Sequence, residues 1–498
     1  MSSAGIRVVK NASILMVAQL MTWILSLLLT IFLPRYLGAA ATGIFVLAGS
    51  IWSIMGLLIS FGTDTLLTKE IARQPAKTPE LLGMALLLRM FFFILSCGAV
   101  AIYLQIMAYP PQIIYVTWLV GLASFITQAS GPFQSALQGL ERMQHTSIAS
   151  VVSKAVNTIL GITVVLLGYN LYAVGYVSVI SATVSSILLF VFVRHSYRPR
   201  FQLRIEPAIS MIRAGLPYLM SGMGLILYGQ VDILIISSLV STREVGWYGV
   251  ASQLTGTLVF IPVVFTTAIF PTLTRAYNNK SDSFPDLIKK SFDLMLLLSV
   301  PVGLGIFVIA NQLVFLLFGL DFAPSGAILS IMGLVIIFMY QNILIGQFLI
   351  STDRTNVWTI IMFVAIFITI VLDLLFVPWC EHSFGNGAIG GALSYLITEC
   401  CMCIAGICLL PKNSLNWSNA RRGALIVISG LVMMATSWWA RDMFIAVPII
   451  LGAITYIGLI AILRVVPSED ITLFKEMAHG IMRKSRRREP EPVGITGV

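Results

Sequence analysis

Residues 229–254 read GQVDILIISSLVSTREVGWYGVASQL, and the apolar run that follows closes on IFPTLTRAY at 269–277. This stretch sets an acid, Asp232, inside an apolar run, then makes a tight polar turn and enters a second apolar run through Gly-Trp-Tyr. A weaker copy stands about 203 residues earlier, where PRYLGAAATGIFVLAGSIW at 34–52 leads to FGTDTLLTKEIA at 61–72. Gly246 answers Gly43, Tyr248 answers Phe45 and Ala251 answers Ala48, while Thr274-Arg275 answers Thr68-Lys69 after a slip of three residues. One helical hairpin used twice predicts a protein of two similar halves. Gly43 and Gly246 read as turn residues that let the chain re-enter tightly. Asp232 has no acidic counterpart in the copy, where Leu27 to Leu29 align, so the acid belongs to one half.

Around this hairpin the composition is that of a membrane protein. Hydrophobic residues make up 58% of the 498 and charged residues only 10%, with a mean hydropathy of +0.94. A soluble domain carries about 25% charged residues, so each apolar run of about 20 residues is a candidate span. Such runs fall near 12–33, 43–66, 82–107, 112–138, 147–168 and 171–193. They resume near 215–240, 246–271, 288–311, 323–350, 357–378, 386–410, 423–440 and 443–464. The predicted fold is all-α and polytopic, with about 14 transmembrane helices. Two pseudo-symmetric six-helix lobes occupy 1–193 and 215–410, and two further helices occupy 411–464. Between the lobes, 194–214 reads as a basic cytoplasmic linker with an interfacial helix from about Pro207. After Pro467-Ser468-Glu469-Asp470, helical spacing of Ile471, Phe474, Ala478 and Ile481 predicts an amphipathic helix, and RKSRRREPEPVGITGV a disordered basic tail. The first run is too long for a signal peptide and ends in Pro34-Arg35-Tyr36, so it reads as a retained span.

Loop charge orients this layout. The net charge is +10. With the N-terminus cytoplasmic, the outward loops hold only Arg35, Arg243 and Arg441, and Arg89 and Lys154 lie inside spans. The other 26 of the 31 Lys and Arg then face inward. This positive-inside bias places both termini in the cytoplasm of a cell's inner membrane. The basic face would attract anionic lipids there, which leaves no case for nucleic acid.

No catalytic machinery is visible. There is no phosphate-binding loop, the four histidines are scattered, and the outward loops are too short for a catalytic face. The six cysteines lie in or beside apolar runs with no metal-site spacing and read as small packing residues. No metal or other cofactor is expected. The chemistry must then lie in buried polarity, since a charge at mid-bilayer costs about 2.5–3.5 kcal/mol. Asp232 and Glu399 read as the deepest acids and as candidates for ion coupling. Arg89 and Lys154, about seven residues inside their spans, either snorkel to the interface or line a cationic cavity. Gln19, Thr22, Ser26 and Thr30 share one face of the first span. Tyr218, Ser221, Tyr228 and Asp232 do so on the seventh, Ser124, Gln128, Ser135 and Gln138 on the fourth, and Tyr340 and Gln347 on the tenth. Polar faces of this kind avoid lipid and point into the bundle, and with Asp232 the amides and tyrosines Gln19, Gln128, Tyr228, Tyr340 and Gln347 read as the lining of a wet, substrate-binding cavity suited to hydrogen-bonding sugars.

Five segments taken together carry a resemblance. FLPRYLGAAATGIFVLA, SFGTDTLLTKEIA, ALQGLERMQHTSIASVVSK, VDILIISSLVSTREVGWYGVA and IFPTLTRAY, in this order and spacing, resemble the polysaccharide transporter family. These are the O-antigen-type lipid-linked oligosaccharide flippases of the multidrug/oligosaccharidyl-lipid/polysaccharide exporter superfamily. The resemblance implies two lobes forming a V with alternating access. It also implies a polyprenyl-(pyro)phosphate oligosaccharide as substrate, moved from the cytoplasmic to the outer leaflet, and polysaccharide polymerase machinery as a candidate partner. Asp232 matches the family's acid in the VDILI segment, and Glu141-Arg142 match its short inner loop. A multidrug antiporter of the same superfamily and a lipid II flippase stay open as alternatives, and a membrane glycosyl polymerase or ligase is a more distant one.

Overall fold

The computed structural model of the chain describes residues 3–194, 197, 199–201, 205–279, 284–410 and 416–465, with side chains from residue 17 onward. The first half contains α1 (Ser3–Leu37), α2 (Ala39–Ser60), α3 (Thr63–Arg73), α4 (Thr78–Ile106), α5 (Pro111–Gly139), α6 (Met143–Leu166) and α7 (Leu171–Arg194). The second contains α8 (Ile205–Leu239), α9 (Thr242–Leu258), α10 (Phe260–Asn278), α11 (Phe284–Phe318), α12 (Ser325–Ser351), α13 (Thr355–Phe384) and α14 (Ala388–Cys408). Two more helices follow, α15 (Trp417–Trp439) and α16 (Ala446–Ile462). Among the described residues, 13 helical segments are long and apolar enough to cross a membrane, and α16 is a shorter apolar helix of 17 residues. The expected count of 14 therefore holds, with α2–α3 and α9–α10 each forming one broken span.

The repeat is visible in how the helices pair. In the first half α1 packs on α6, α2 on α5, α4 on α5, α5 on α7 and α6 on α7. Each pairing recurs in the second half, as α8 with α13, α9 with α12, α11 with α12, α12 with α14 and α13 with α14. α15 and α16 pair with each other and lie against α11, where Asn419 and Arg422 hold Asp293 at 3.0 Å each. The outer flanks stay apolar and open to lipid, as at Phe367 and Leu375 of α13.

Two details differ from the sequence expectation. The helix expected near Pro207 is not a separate element, because α8 runs unbroken from Ile205 to Leu239. Pro207 sits in its first turn, where no intrahelical donor is lost. Cys401 and Cys408 are exposed on α14 rather than packed inside. The amphipathic helix expected after Pro467 lies outside the described residues.

Prolines inside the spans create a need that distant side chains meet. A proline has no N–H, so the carbonyl four residues earlier loses its helical partner. Tyr340 donates to the carbonyl of Leu258, four residues before Pro262, at 2.8 Å. Tyr456 of α16 donates to Leu297, four before Pro301, at 2.9 Å. Arg89 donates to Gln128, four before Pro132. These contacts bind separate helices at points that would otherwise expose bare carbonyls. Tyr340→Phe should therefore destabilise the folded protein by about 1–3 kcal/mol, the cost of one orphaned buried acceptor. The unfolding midpoint in detergent checks this, and a midpoint equal to wild type would remove Tyr340 from that role.

Candidate functional site

The bundle has a basic end, where α3 leads into α4, and a charge-poor end, where α1 leads into α2 and α8 into α9. At the charge-poor end the two halves touch along α2 and α9. A Cβ on Gly43 would stand 1.8 Å from the Thr242 carbonyl oxygen, and one on Gly246 would stand 2.0 Å from that of Ala39. The equivalent glycines of the two hairpins thus meet each other. Neither is a turn residue, which corrects the sequence reading. The turn before α2 belongs to Gly38, whose φ is 80°. Toward the basic end, α2–α3 meets α8, with the Phe61 carbonyl lying 2.6 Å from where a Gly215 Cβ would be.

The charge-poor contact is tied down by Asp321, between α11 and α12. Its carboxylate accepts from the Ala39 amide at 2.6 Å and pairs with Arg243. Its carbonyl accepts from the Trp247 indole at 2.9 Å. The Ala39 amide, and after it Arg243, hold the Asp321 carboxyl below its ordinary value. Arg35 caps the end of α11 through the Leu316 carbonyl at 2.9 Å.

Between the two glycine contacts lies a cavity of about 650 Å³, walled by α1, α2, α6 and α7 on one side and α8 and α9 on the other. Hydroxyls and amides face it: Ser26, Thr30, Ser50, Ser178, Gln230 and Gln253. Lys154 is the one ionisable side chain on its described wall. Half-buried, it has no hydrogen bond or ion pair among the described residues. A second cavity of about 410 Å³ shares Gly49 and Ser178 with the first and runs into the first lobe, lined by Ser124, Gln128, Ser153 and Ser181. Of the two basic candidates, then, Lys154 faces open space.

Arg89 does not. It is 2% exposed and paired with Asp64 of α3, whose side chain is 46% exposed. It also donates to the Gln128 carbonyl freed by Pro132, and Ser135 completes the cluster on Asp64 at 3.2 Å. A guanidinium so engaged through its two terminal nitrogens ties α3, α4 and α5 together. Of the two readings for Arg89, snorkelling or a cationic cavity, the second is not met, since the described lining of neither cavity includes it. Tyr340, buried against Leu258, serves the same kind of structural end. Gln347 is half-buried, and Gln19 is exposed on α1, where its carbonyl accepts from Thr22 at 2.8 Å.

The second lobe holds the acids. Asp232 accepts from Tyr248 at 2.7 Å. Glu399 accepts from Tyr228 at 2.8 Å and from Asn342 at 2.6 Å. Asp373 of α13 lies against Asp232 and Ser394, fully buried, with neither carboxyl oxygen given a hydrogen bond. Sequence reasoning missed Asp373 because its run was ended near 378, five residues beyond the acid. The helix continues to Phe384, which puts Asp373 as deep as Asp232. No described Lys, Arg or His pairs with any of the three. Three carboxylates cannot all stay charged in such a place without a counter-cation: at least one must take up a proton, or a metal cation must join them.

Comparison with known proteins adds relatives to this geometry. A family profile described as polysaccharide biosynthesis protein matches residues 8–277, and one described as MatE matches 217–375. A Haloferax volcanii protein described as a probable low-salt glycan biosynthesis flippase is 22% identical over 373 residues, 74% of this chain and 76% of its own. The lipid II flippase MurJ in an inward closed conformation superposes with a TM-score of 0.69 at 14% identity, covering 90% of this chain and 98% of that one. An inward-facing multidrug resistance MATE family transporter of the MOP superfamily gives 0.64 at 14% identity, covering 83% and 94%.

Proposed function

The chain belongs to the polysaccharide biosynthesis protein family, and on that premise we propose that it flips a polyprenyl-(pyro)phosphate-linked oligosaccharide from the cytoplasmic to the outer leaflet. It is a transporter rather than an enzyme. The observation that carries the substrate class is the inter-lobe cavity, whose hydroxyl and amide wall suits sugars and whose single unpaired cation, Lys154, suits a phosphate. An antiporter of organic cations would place its acids on that wall. Here the buried acids Asp232, Asp373 and Glu399 lie within the second lobe, and no described acid lines the cavity.

Direction and driving force follow from charge. The positive-inside bias makes the basic end cytoplasmic, and the glycine contact with its Asp321 clasp closes the outer end. Moving an anion outward across an inside-negative membrane is favoured by about 2.3 kcal/mol per charge per 100 mV. The Asp232–Asp373 pair, with Glu399 beside it, is proposed as a protonation site coupled to lobe movement.

Liposomes holding the purified protein and a labelled polyprenyl-pyrophosphate sugar test this reading. Wild type should flip the lipid, Lys154→Gln should lower the rate at least about tenfold, and Asp373→Asn should abolish the dependence of the rate on a pH gradient. Wild type that moves organic cations but no lipid-linked sugar would falsify the substrate. An Asp373→Asn variant with an unchanged pH-gradient response would remove the coupling role.

A further inference from the structure

Helices α1 and α6 run side by side but do not close along their whole length. Toward the charge-poor end they are in contact, where Thr158 donates to the Leu25 carbonyl at 3.1 Å. One turn further on, a Cβ on Gly161 would lie 2.9 Å from Leu29. Toward the basic end they part, leaving a groove of about 560 Å³. Its described walls are Val17, Ala18 and Met21 of α1 and Ile148, Val151 and Val152 of α6, with Ser147 the one polar residue among them. Val17 is 61% exposed, Ile148 50% and Met21 48%, so the groove is open on the lipid side.

Near the closed end of the groove stands a charge. Lys154 stands three residues beyond Val151 on α6, about 4.5 Å further along the helix axis. It lies on nearly the same face as Ser147, seven residues back. The same two helices pass from one environment to the other. Ser26, Leu29 and Thr30 of α1, with Lys154 of α6, line the inter-lobe cavity, whereas one to two turns away the described groove walls of both helices are apolar apart from Ser147. An apolar trough at membrane depth with an unpaired cation at its head is complementary to an amphiphile bearing a single anionic group on a long hydrocarbon chain.

We propose that this groove holds the polyprenyl tail of the substrate while its phosphate sits at Lys154. The inference rests on the function proposed above and adds a protein-bound site for the tail, which otherwise needs only the bilayer. The sugar then enters the hydroxyl-lined cavity while the tail stays between α1 and α6, at the level of the leaflet from which the lipid is taken. α1 touches α2, α9 and α11 far less than it touches α6, so tail and helix can move together when the lobes rearrange.

The test uses the full-length protein in phosphatidylcholine nanodiscs, with a long-chain polyprenyl phosphate, geranyl phosphate and phosphatidic acid as probes. Met21→Trp and Ile148→Trp fill the groove from its lipid-exposed side, where the fold tolerates bulk, and unfolding midpoints check this. Each should weaken long-chain polyprenyl phosphate binding at least about tenfold and leave geranyl phosphate binding as in wild type. Lys154→Gln should weaken both, and Phe367→Leu, on the open outer flank of α13, should weaken neither. Tryptophan variants that bind the long chain as well as wild type would overturn the groove. Phosphatidic acid that competes as well as the polyprenyl phosphate would also do so, since the groove would then hold ordinary lipid. Flipping by wild type with normal flipping by both tryptophan variants sinks the groove alone. No binding or flipping of a polyprenyl phosphate by wild type sinks the proposed function with it.

Discussion

Gly43→Val is expected to force the two lobes apart at the charge-poor end and to abolish transport. A Cβ there meets the Thr242 carbonyl oxygen at 1.8 Å and the Gly246 amide nitrogen at 2.8 Å. Both are backbone atoms within a helix and cannot rotate away. α2 and α9 must separate by more than an ångström, and the 2.6 Å bond from Ala39 to Asp321 is then lost as well. Overpacking of this kind costs about 1–3 kcal/mol or more. States of a transporter differ by only a few kcal/mol, so the closed arrangement should cease to be the populated one. Spin labels on Tyr36 and Leu320, both exposed at this end, would report a longer distance. Gly256→Ala, where a Cβ meets nothing within 4 Å, is the control on α9. An unchanged distance and rate in Gly43→Val would show that the α2–α9 contact is not the closure.

The second large effect is asymmetric. Asp64→Ala should destabilise the fold by about 3–5 kcal/mol, because it leaves the guanidinium of Arg89 buried without its counter-charge. Arg89→Leu removes the buried charge itself. Asp64, 46% exposed, keeps water and the Ser135 hydroxyl, and the main loss is the donor to the Gln128 carbonyl, about 1–3 kcal/mol. The more exposed partner is thus the more damaging one to delete. Combining the two changes should cost less than their sum. Denaturant unfolding of the three variants in detergent measures this, and Arg89→Leu proving worse than Asp64→Ala would rule out the ion pair as the reason Arg89 is tolerated at that depth.

Much of the fold was legible because the signals are local. Hydropathy over about 20 residues marks spans wherever they pack, and the hairpin at 229–277 with its copy at 34–72 announced the repeat that the helix pairings reproduce. The broken second span of each half was not legible, because its break depends on Phe61 and Gly62 in one lobe and on Val259 before Pro262 in the other. Asp373 could have been found by applying the depth rule used for Asp232, but the end of its helix was placed too early.

The sequence by itself determined the membrane class, the number of spans, the two halves and the side rich in positive charge. All of these follow from composition and periodicity along the chain. Only the tertiary structure decided what each buried polar group does. Arg89 and Lys154 lie at the same apparent depth in their spans and are both basic, yet one is consumed by Asp64 and a proline-freed carbonyl while the other faces a cavity with no partner. Gly43 and Gly246 look like turn residues until α2 and α9 are laid against each other. The fate of a charge or a glycine inside a membrane depends on the atoms across from it, and those come from segments tens to hundreds of residues away.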